Sequence, residues 1–115
     1  MKNLLYGSQM PFLDLLDVEA RVLIPGFHVK FVHSSTMTFA HWDIEPGAVL
    51  PEHSHPHEQV CNVIEGEFEL TIDGESCVLI AGGVGVIPSN VVHSGRAVTR
   101  CHVIDVFNPI REDYR

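Results

Sequence analysis

The chain has 115 residues, of which 45% are apolar and 19% charged, and carries a formal net charge of −8. That length suits one domain burying somewhat under ~70% of its unfolded surface, and the acidic balance, without any basic tract, excludes nucleic acid and anionic membrane as expected partners. A small anion held by a local cation remains open.

No apolar run approaches the roughly 20 residues that cross a bilayer. The stretch from Met1 to Asp17 lacks a signal peptide's continuous apolar core and cleavage site, so a cytoplasmic protein is expected. Cys61, Cys77 and Cys101 form no CxxC pair and are expected to be small core hydrophobes rather than a disulfide framework.

Helical signal is confined to a possible turn around Phe12–Glu19. Strands are then expected at Arg21–Ile24, His28–Ser34 and Thr36–Ile44, before the Glu45-Pro46-Gly47 turn. Val60–Glu65 follows, with a turn at Glu65-Gly66 leading into Glu67–Ile72. There Phe68, Leu70 and Ile72 alternate with Glu67, Glu69 and Thr71, the period-2 signature of one buried and one wet face. Asp73-Gly74 is a hairpin signal, and Glu75–Ala81, Val84–Ile87 and Thr99–Phe107 complete the set. Many short strands at regular spacing predict one all-β domain, a sandwich or barrel, over residues 1–115. Its parts are N-terminal strands in 1–44, a motif-bearing core in 45–107 and a tail in 108–115.

The chemistry concentrates in His53-Ser54-His55-Pro56-His57-Glu58-Gln59, answered much later by His93. In an extended segment residues i and i+2 share a face, so His53 and His55 can aim at one point, with Gln59 at the same parity. His93 closes the set from another strand. Three imidazoles and a carboxamide are electrically neutral, so a bound divalent ion keeps its charge, which suits Lewis-acid work. Nickel, zinc, manganese and iron all accept such ligands. His57 follows the strand-breaking Pro56 and is expected at the rim, while Glu58 has the opposite parity. His28, His33 and His102 are expected to be ordinary surface or satisfied residues.

This pattern resembles the cupin superfamily, whose members are double-stranded β-helix, or jelly-roll, barrels. Gly47, His53, His55, Gln59 and Gly66 keep the spacing of its first motif, with Gln in place of the usual Glu. Gly82, Pro88, Asn90 and His93 keep that of the second. Asn90 stands where Gly is usual and tolerates the left-handed backbone such a turn needs; Ala97 replaces a final Asn. Details of the His run, of Val63–Phe68 and of the tail Asp105–Tyr114 are similar to small single-domain cupins of the pectin-degradation KdgF type. That resemblance implies metal ligation by His53, His55, Gln59 and His93, substrate handling by Asp105, Phe107 and Arg111, and opening of 4,5-unsaturated uronates to keto forms. A cupin of bacilysin biosynthesis shares the Gln-bearing motif, so the motif alone leaves the reaction open.

In the tail, Cys101, Val103, Asp105 and Phe107 share one strand face. An Asp on an interior face is costly without a partner and tends to be raised toward neutrality, where it can exchange protons. Arg111 presents a planar fork that matches a carboxylate, or else pairs with Glu112 or Asp113. Phe107 either stacks on a sugar or fills the core. The leading expectation is a metal-dependent cupin that opens a uronate-like ring, with Asp105 as acid/base and Arg111 on the carboxylate. The rivals are a dioxygenase or other isomerase of the same fold and a non-catalytic small-molecule binder. A homodimer is expected by family analogy, covered through the apolar segment containing Leu4, Leu5, Phe12, Leu13, Leu15 and Leu16.

Overall fold

Alternation of buried and less buried residues along β-strands such as Phe27–His33, Thr38–Ile44 and Cys101–Asn108 gives each one inward face, and the molecule joins these faces in two sheets sharing a core. The computed structural model describes residues 12–115. Its strands are β1 (Arg21–Ile24), β2 (Phe27–His33), β3 (Thr38–Ile44), β4 (Val49–His53), β5 (Glu58–Glu65), β6 (Phe68–Ile72), β7 (Glu75–Leu79), β8 (Val84–Ile87), β9 (His93–Ala97) and β10 (Cys101–Asn108). One sheet runs β1-β2-β3-β10-β5-β8 and the other β4-β9-β6-β7, with every pairing antiparallel. The result is an all-β, single-domain jelly roll.

The shared core takes Phe27, Val29 and Phe31 from β2, Trp42 and Ile44 from β3, Val63 from β5 and Phe68 and Leu70 from β6. Each such side chain contributes about 1.5–3 kcal/mol on burial. β10 lies between β3 and β5, and Cys101, Val103, Asp105 and Phe107 face inward as the alternation predicts. Cys61 and Cys101 are buried, but Cys77 on β7 is exposed, contrary to its reading as a core residue. β7 is an edge strand exposed along most of its length, so its local sequence did not reveal which way the thiol points.

Two strands that pattern reading did not delimit, β4 and β9, carry histidines of the candidate site. β4 contains Pro51 and exposes Glu52, and β9 reads His-Ser-Gly-Arg-Ala; both are poor in strand formers and earn their pairing from neighbours. The turn foreseen near Phe12–Glu19 is a single 3-10 turn, Leu15–Asp17, capped by Asp14, whose side chain accepts from the Leu16 N–H at 2.9 Å. Phe12, Leu13 and Leu16 are exposed; Leu4 and Leu5 lie outside the described residues.

Turn chemistry closes the barrel. Asp73 (φ 49°) and Gly74 (φ 82°) make the β6–β7 hairpin with the two-residue left-handed geometry that suits twisted strands. Asn90 adopts φ 65°. Its main-chain N–H donates to the His55 carbonyl at 2.8 Å, and the neighbouring Ser89 hydroxyl donates to the Pro56 carbonyl at 2.6 Å. The turn before β9 therefore braces the loop between β4 and β5.

Gly66 has φ 88°, and a Cβ there would lie 2.1 Å from the Arg100 carbonyl oxygen. Gly66→Ala should destabilise the protein by about 2 kcal/mol or more, combining left-handed strain with a backbone clash. Urea unfolding measures this; a loss below about 0.5 kcal/mol, the usual range of innocuous surface changes, would contradict it.

Candidate metal centre

The cluster is assembled from three places. His53 ends β4, His55 lies in the following loop, and His93 begins β9 directly opposite His53 in the register. Ring centroids are 4.2 Å apart for His53–His93, 4.8 Å for His55–His93 and 5.6 Å for His53–His55. One ring nitrogen from each lies within 4.8 Å of the others.

The tautomers follow from the hydrogen bonds. His53 Nδ1 donates to the Pro51 carbonyl at 2.8 Å, His55 Nδ1 to the His57 carbonyl at 3.0 Å and His93 Nδ1 to the Val91 carbonyl at 2.9 Å. A carbonyl can only accept, so each neutral ring carries its proton on Nδ1 and a lone pair on Nε2. His93 Nε2 is buried without a partner, a costly arrangement unless a cation meets it. Burial also pushes His93 down to about 4, its bond to Val91 opposing and the charges of His53, His55 and Arg111 assisting. His55 is lowered by burial and then by Arg111. Burial thus favours the neutral, metal-binding form of His55 and His93, and together with His53 these residues fit one divalent transition ion.

Gln59 arrives differently from the parity argument. The chain turns at Pro56 and places Gln59 on β5, in the other sheet from β4 and β9. Its Oε1 nevertheless lies 3.1 Å from His55 Nε2. A cation shared by the two atoms would reconcile lone pairs this close. On its other side the Gln59 side chain favours the charged form of Asp105.

Asp105 sits opposite Ala40 and Cys61 on the neighbouring strands. Trp42 Nε1 donates to its Oδ2 at 2.9 Å. Gln59 and Cys61 lie near enough to favour the carboxylate but close no well-formed bond, and Oδ1 is buried without a partner. Burial therefore dominates and raises the group from 3.8 to about 6. Burial, and then the charge of Asp105, push the Cys61 thiol far up, so it stays protonated. Asp105, Gln59 and His93 line one interior cavity of about 30 Å³, room for a water or two and no more. The larger grooves, about 610 and 580 Å³, lie elsewhere: across the strands carrying His28, His41 and His102, and along β7 and β8.

Phe107 is buried, with its ring centroid 5.7 Å from that of His55. Arg111 is also buried; its Nε and Nη2 donate to the two carboxylate oxygens of Asp113 at 3.0 and 2.8 Å. Its charge lowers His57, after burial. His57 lies at the rim, half-buried with Nδ1 unpartnered, and Glu58 is exposed. His28 pairs with Glu45 on the outside at 2.7 Å. Sequence reading did not single out Trp42, because its approach to Asp105 depends on cross-strand register that no local motif encodes.

A jelly roll presenting three converging imidazoles defines a barrel able to bind a metal. The chain belongs to the cupin family, with the Cupin domain matching residues 40–107. It is 34% identical over 70 residues to the pectin degradation protein KdgF of Dickeya dadantii (strain 3937), covering 59% of this chain and 64% of that one. It is 30% identical over 103 residues to the HTH-type transcriptional regulator PuuR of Escherichia coli (strain K12), covering 84% of this chain and 54% of that one. The chain thus spans between about half and two-thirds of the length of these curated relatives. The structure of KdgF from Halomonas sp. superposes with a TM-score of 0.81 at 30% identity, covering 84% of this chain and 91% of that one.

Two predictions follow from this geometry. Gln59→Ala should weaken retention of a divalent ion by roughly 10–100-fold, the range typical when a metal site loses a supporting contact, and equilibrium dialysis with elemental analysis reads it; unchanged affinity would remove Gln59 from the ligand set. The second concerns acid. His93, lowered from 6.5 to about 4, contributes stability that is intact above 6.5 and lost as pH falls toward 4. Asp105, raised from 3.8 to about 6, contributes stability that is full below 3.8 and lost as pH rises through 6. The two oppose each other, so metal-stripped Asp105→Asn should lose stability more steeply than the wild type between pH 6.5 and 4. Parallel urea-derived curves would refute that pairing.

Proposed function

We propose that this protein is a metal-dependent isomerase that opens the ring of a 4,5-unsaturated uronate or a close relative. The observation that carries the reading is the gathering of a three-His cluster, a buried carboxyl with an unpartnered oxygen and a buried guanidinium at one end of the barrel. Likeness to KdgF proteins in sequence and fold supports the substrate class. His53, His55, His93 and Gln59 would hold the ion. A divalent ion bound there supplies Lewis-acid polarisation of a substrate oxygen.

The remaining chemistry belongs to the chain. Ring opening breaks the C1–O5 bond of a cyclic hemiacetal, removes the O1 proton to form the aldehyde, and delivers one proton to C4 as the enol at C5 becomes a ketone. One proton leaves and one arrives, so no oxidant is consumed. Asp105 suits that exchange. Trp42 N–H occupies Oδ2 and cannot accept a proton, so transfer is confined to Oδ1, on a group raised to about 6. Arg111 supplies the positive charge that draws a carboxylate into an otherwise acidic protein. Phe107 backs the guanidinium, with Arg111 Cζ 4.8 Å from its ring centroid. We place this enzyme in the cytoplasm as a homodimer acting on a small anion; among the described residues no helix is long and apolar enough to cross a membrane.

A ligand-sensing role is the second reading, favoured by the match to the regulator PuuR over 84% of this chain. Ultraviolet absorbance of a 4,5-unsaturated monouronate separates the two. With metal-loaded protein the conjugated chromophore should vanish faster than its spontaneous decay. Chelation, or Asp105→Asn with metal retained, should cut the rate by about 100-fold or more, the usual worth of a general acid/base. Background decay by protein of confirmed metal content would sink the enzymatic reading, and full activity in Asp105→Asn would sink the assignment of Asp105.

A further inference from the structure

Arg111 is more constrained than a tail residue needs to be. Its side chain is 9% exposed while that of its ion-pair partner Asp113 is 56% exposed. Thr38 Oγ1 accepts from the Arg111 main-chain N–H at 2.9 Å and anchors the root of the side chain. Phe107 and Tyr114 pack against the guanidinium, Cζ lying 4.8 and 4.0 Å from their ring centroids. Those contacts hold the plane but leave the group free to turn within it. The two bonds to Asp113 remove that freedom, and they use Nε and Nη2, leaving Nη1 out of the pair. The bidentate carboxylate meets two donors of a guanidinium that burial has taken out of water. Its consequence is orientation, since a fixed fork loses little entropy when a second carboxylate arrives.

We propose that Asp113 is a positioning residue that holds Arg111 side-on so that the remaining edge of the guanidinium receives the carboxylate of a sugar acid at the barrel mouth. This rests on the reading of the site as one that takes a uronate. Asp113 itself touches no substrate; it acts through Arg111.

The test uses the metal-loaded full chain and the variants Asp113→Ala, Asp113→Asn and Asp113→Glu. Calorimetry with D-galacturonate, a saturated and unreactive probe, reads the subsite without turnover. The dissociation constant should rise roughly tenfold in the Ala and Asn variants, the loss expected when a charged contact must be ordered on binding. The Glu variant should recover to within about threefold. With the unsaturated monouronate, KM should rise by a similar factor while kcat stays within about twofold, a split that general loosening of the fold would not produce. Unchanged binding in the Ala and Asn variants overturns the proposal, as does the absence of galacturonate binding by the wild type. Tighter binding overturns it too, and would mark Asp113 as a competitor for the fork. If the wild type shows no turnover but the variants lose galacturonate affinity as expected, ring opening fails and the subsite stands. If the wild type turns over and the variants bind normally, the reverse holds.

Discussion

Each imidazole of the cluster gives its Nδ1 proton to a main-chain carbonyl, of Pro51, His57 or Val91, and this choice of tautomer leaves three lone pairs converging at the barrel mouth. The rest of the site depends on where those carbonyls are held. The Pro88–Val91 turn grips the His55–His57 loop through Asn90 and Ser89 and also presents the Val91 carbonyl to His93. One turn with a single left-handed residue thus orients two of the three rings. The third is set by pairing of β4 with β9, which puts His53 opposite His93.

Charge is distributed with an economy that the net value conceals. The surface carries the acidic excess, while the site brings together three imidazoles, one carboxyl raised by burial to about 6 and one buried guanidinium. Trp42 shows how the barrel keeps a carboxyl in an apolar interior without neutralising it fully. It gives Oδ2 one strong donor and leaves Oδ1 with none. A second good donor would pull Asp105 back toward an ordinary carboxylate; none at all would make its ionisation prohibitive.

Much of this was legible because strand periodicity and ligand spacing share one arithmetic. The alternation in Phe68–Ile72, the inward set Cys101, Val103, Asp105 and Phe107, and the His53-x-His55 parity all follow from a repeat of two, and Asn90 does adopt the left-handed backbone its place in the turn demanded. What escaped depends on contacts between distant strands. β4 and β9 are weak strands by composition and exist because β6 and each other pair with them. Gln59 shares parity with the histidines yet reaches them from the opposite sheet, because Pro56 ends the extended run. Trp42 meets Asp105 through the registration of β3 with β10, which no short window records. The outward turn of Cys77 likewise belongs to an edge strand whose exposure is a tertiary fact.

The separation of the site's residues along the sequence has a bearing on how this protein matures. β4 and β9 belong to one sheet and β5 to the other, and His53 and His93 become neighbours only after the strands between them in sequence have found their places. Loop closure over such separations comes late and rewards the chain only when the barrel is nearly complete. An ion therefore cannot nucleate folding here in the way that short, local Cys and His spacings let zinc organise a finger. The polypeptide must build its cavity first and load it afterwards. Selection among competing metals then rests on a finished geometry and on what the cell offers, not on whichever ion binds an unfolded chain most avidly.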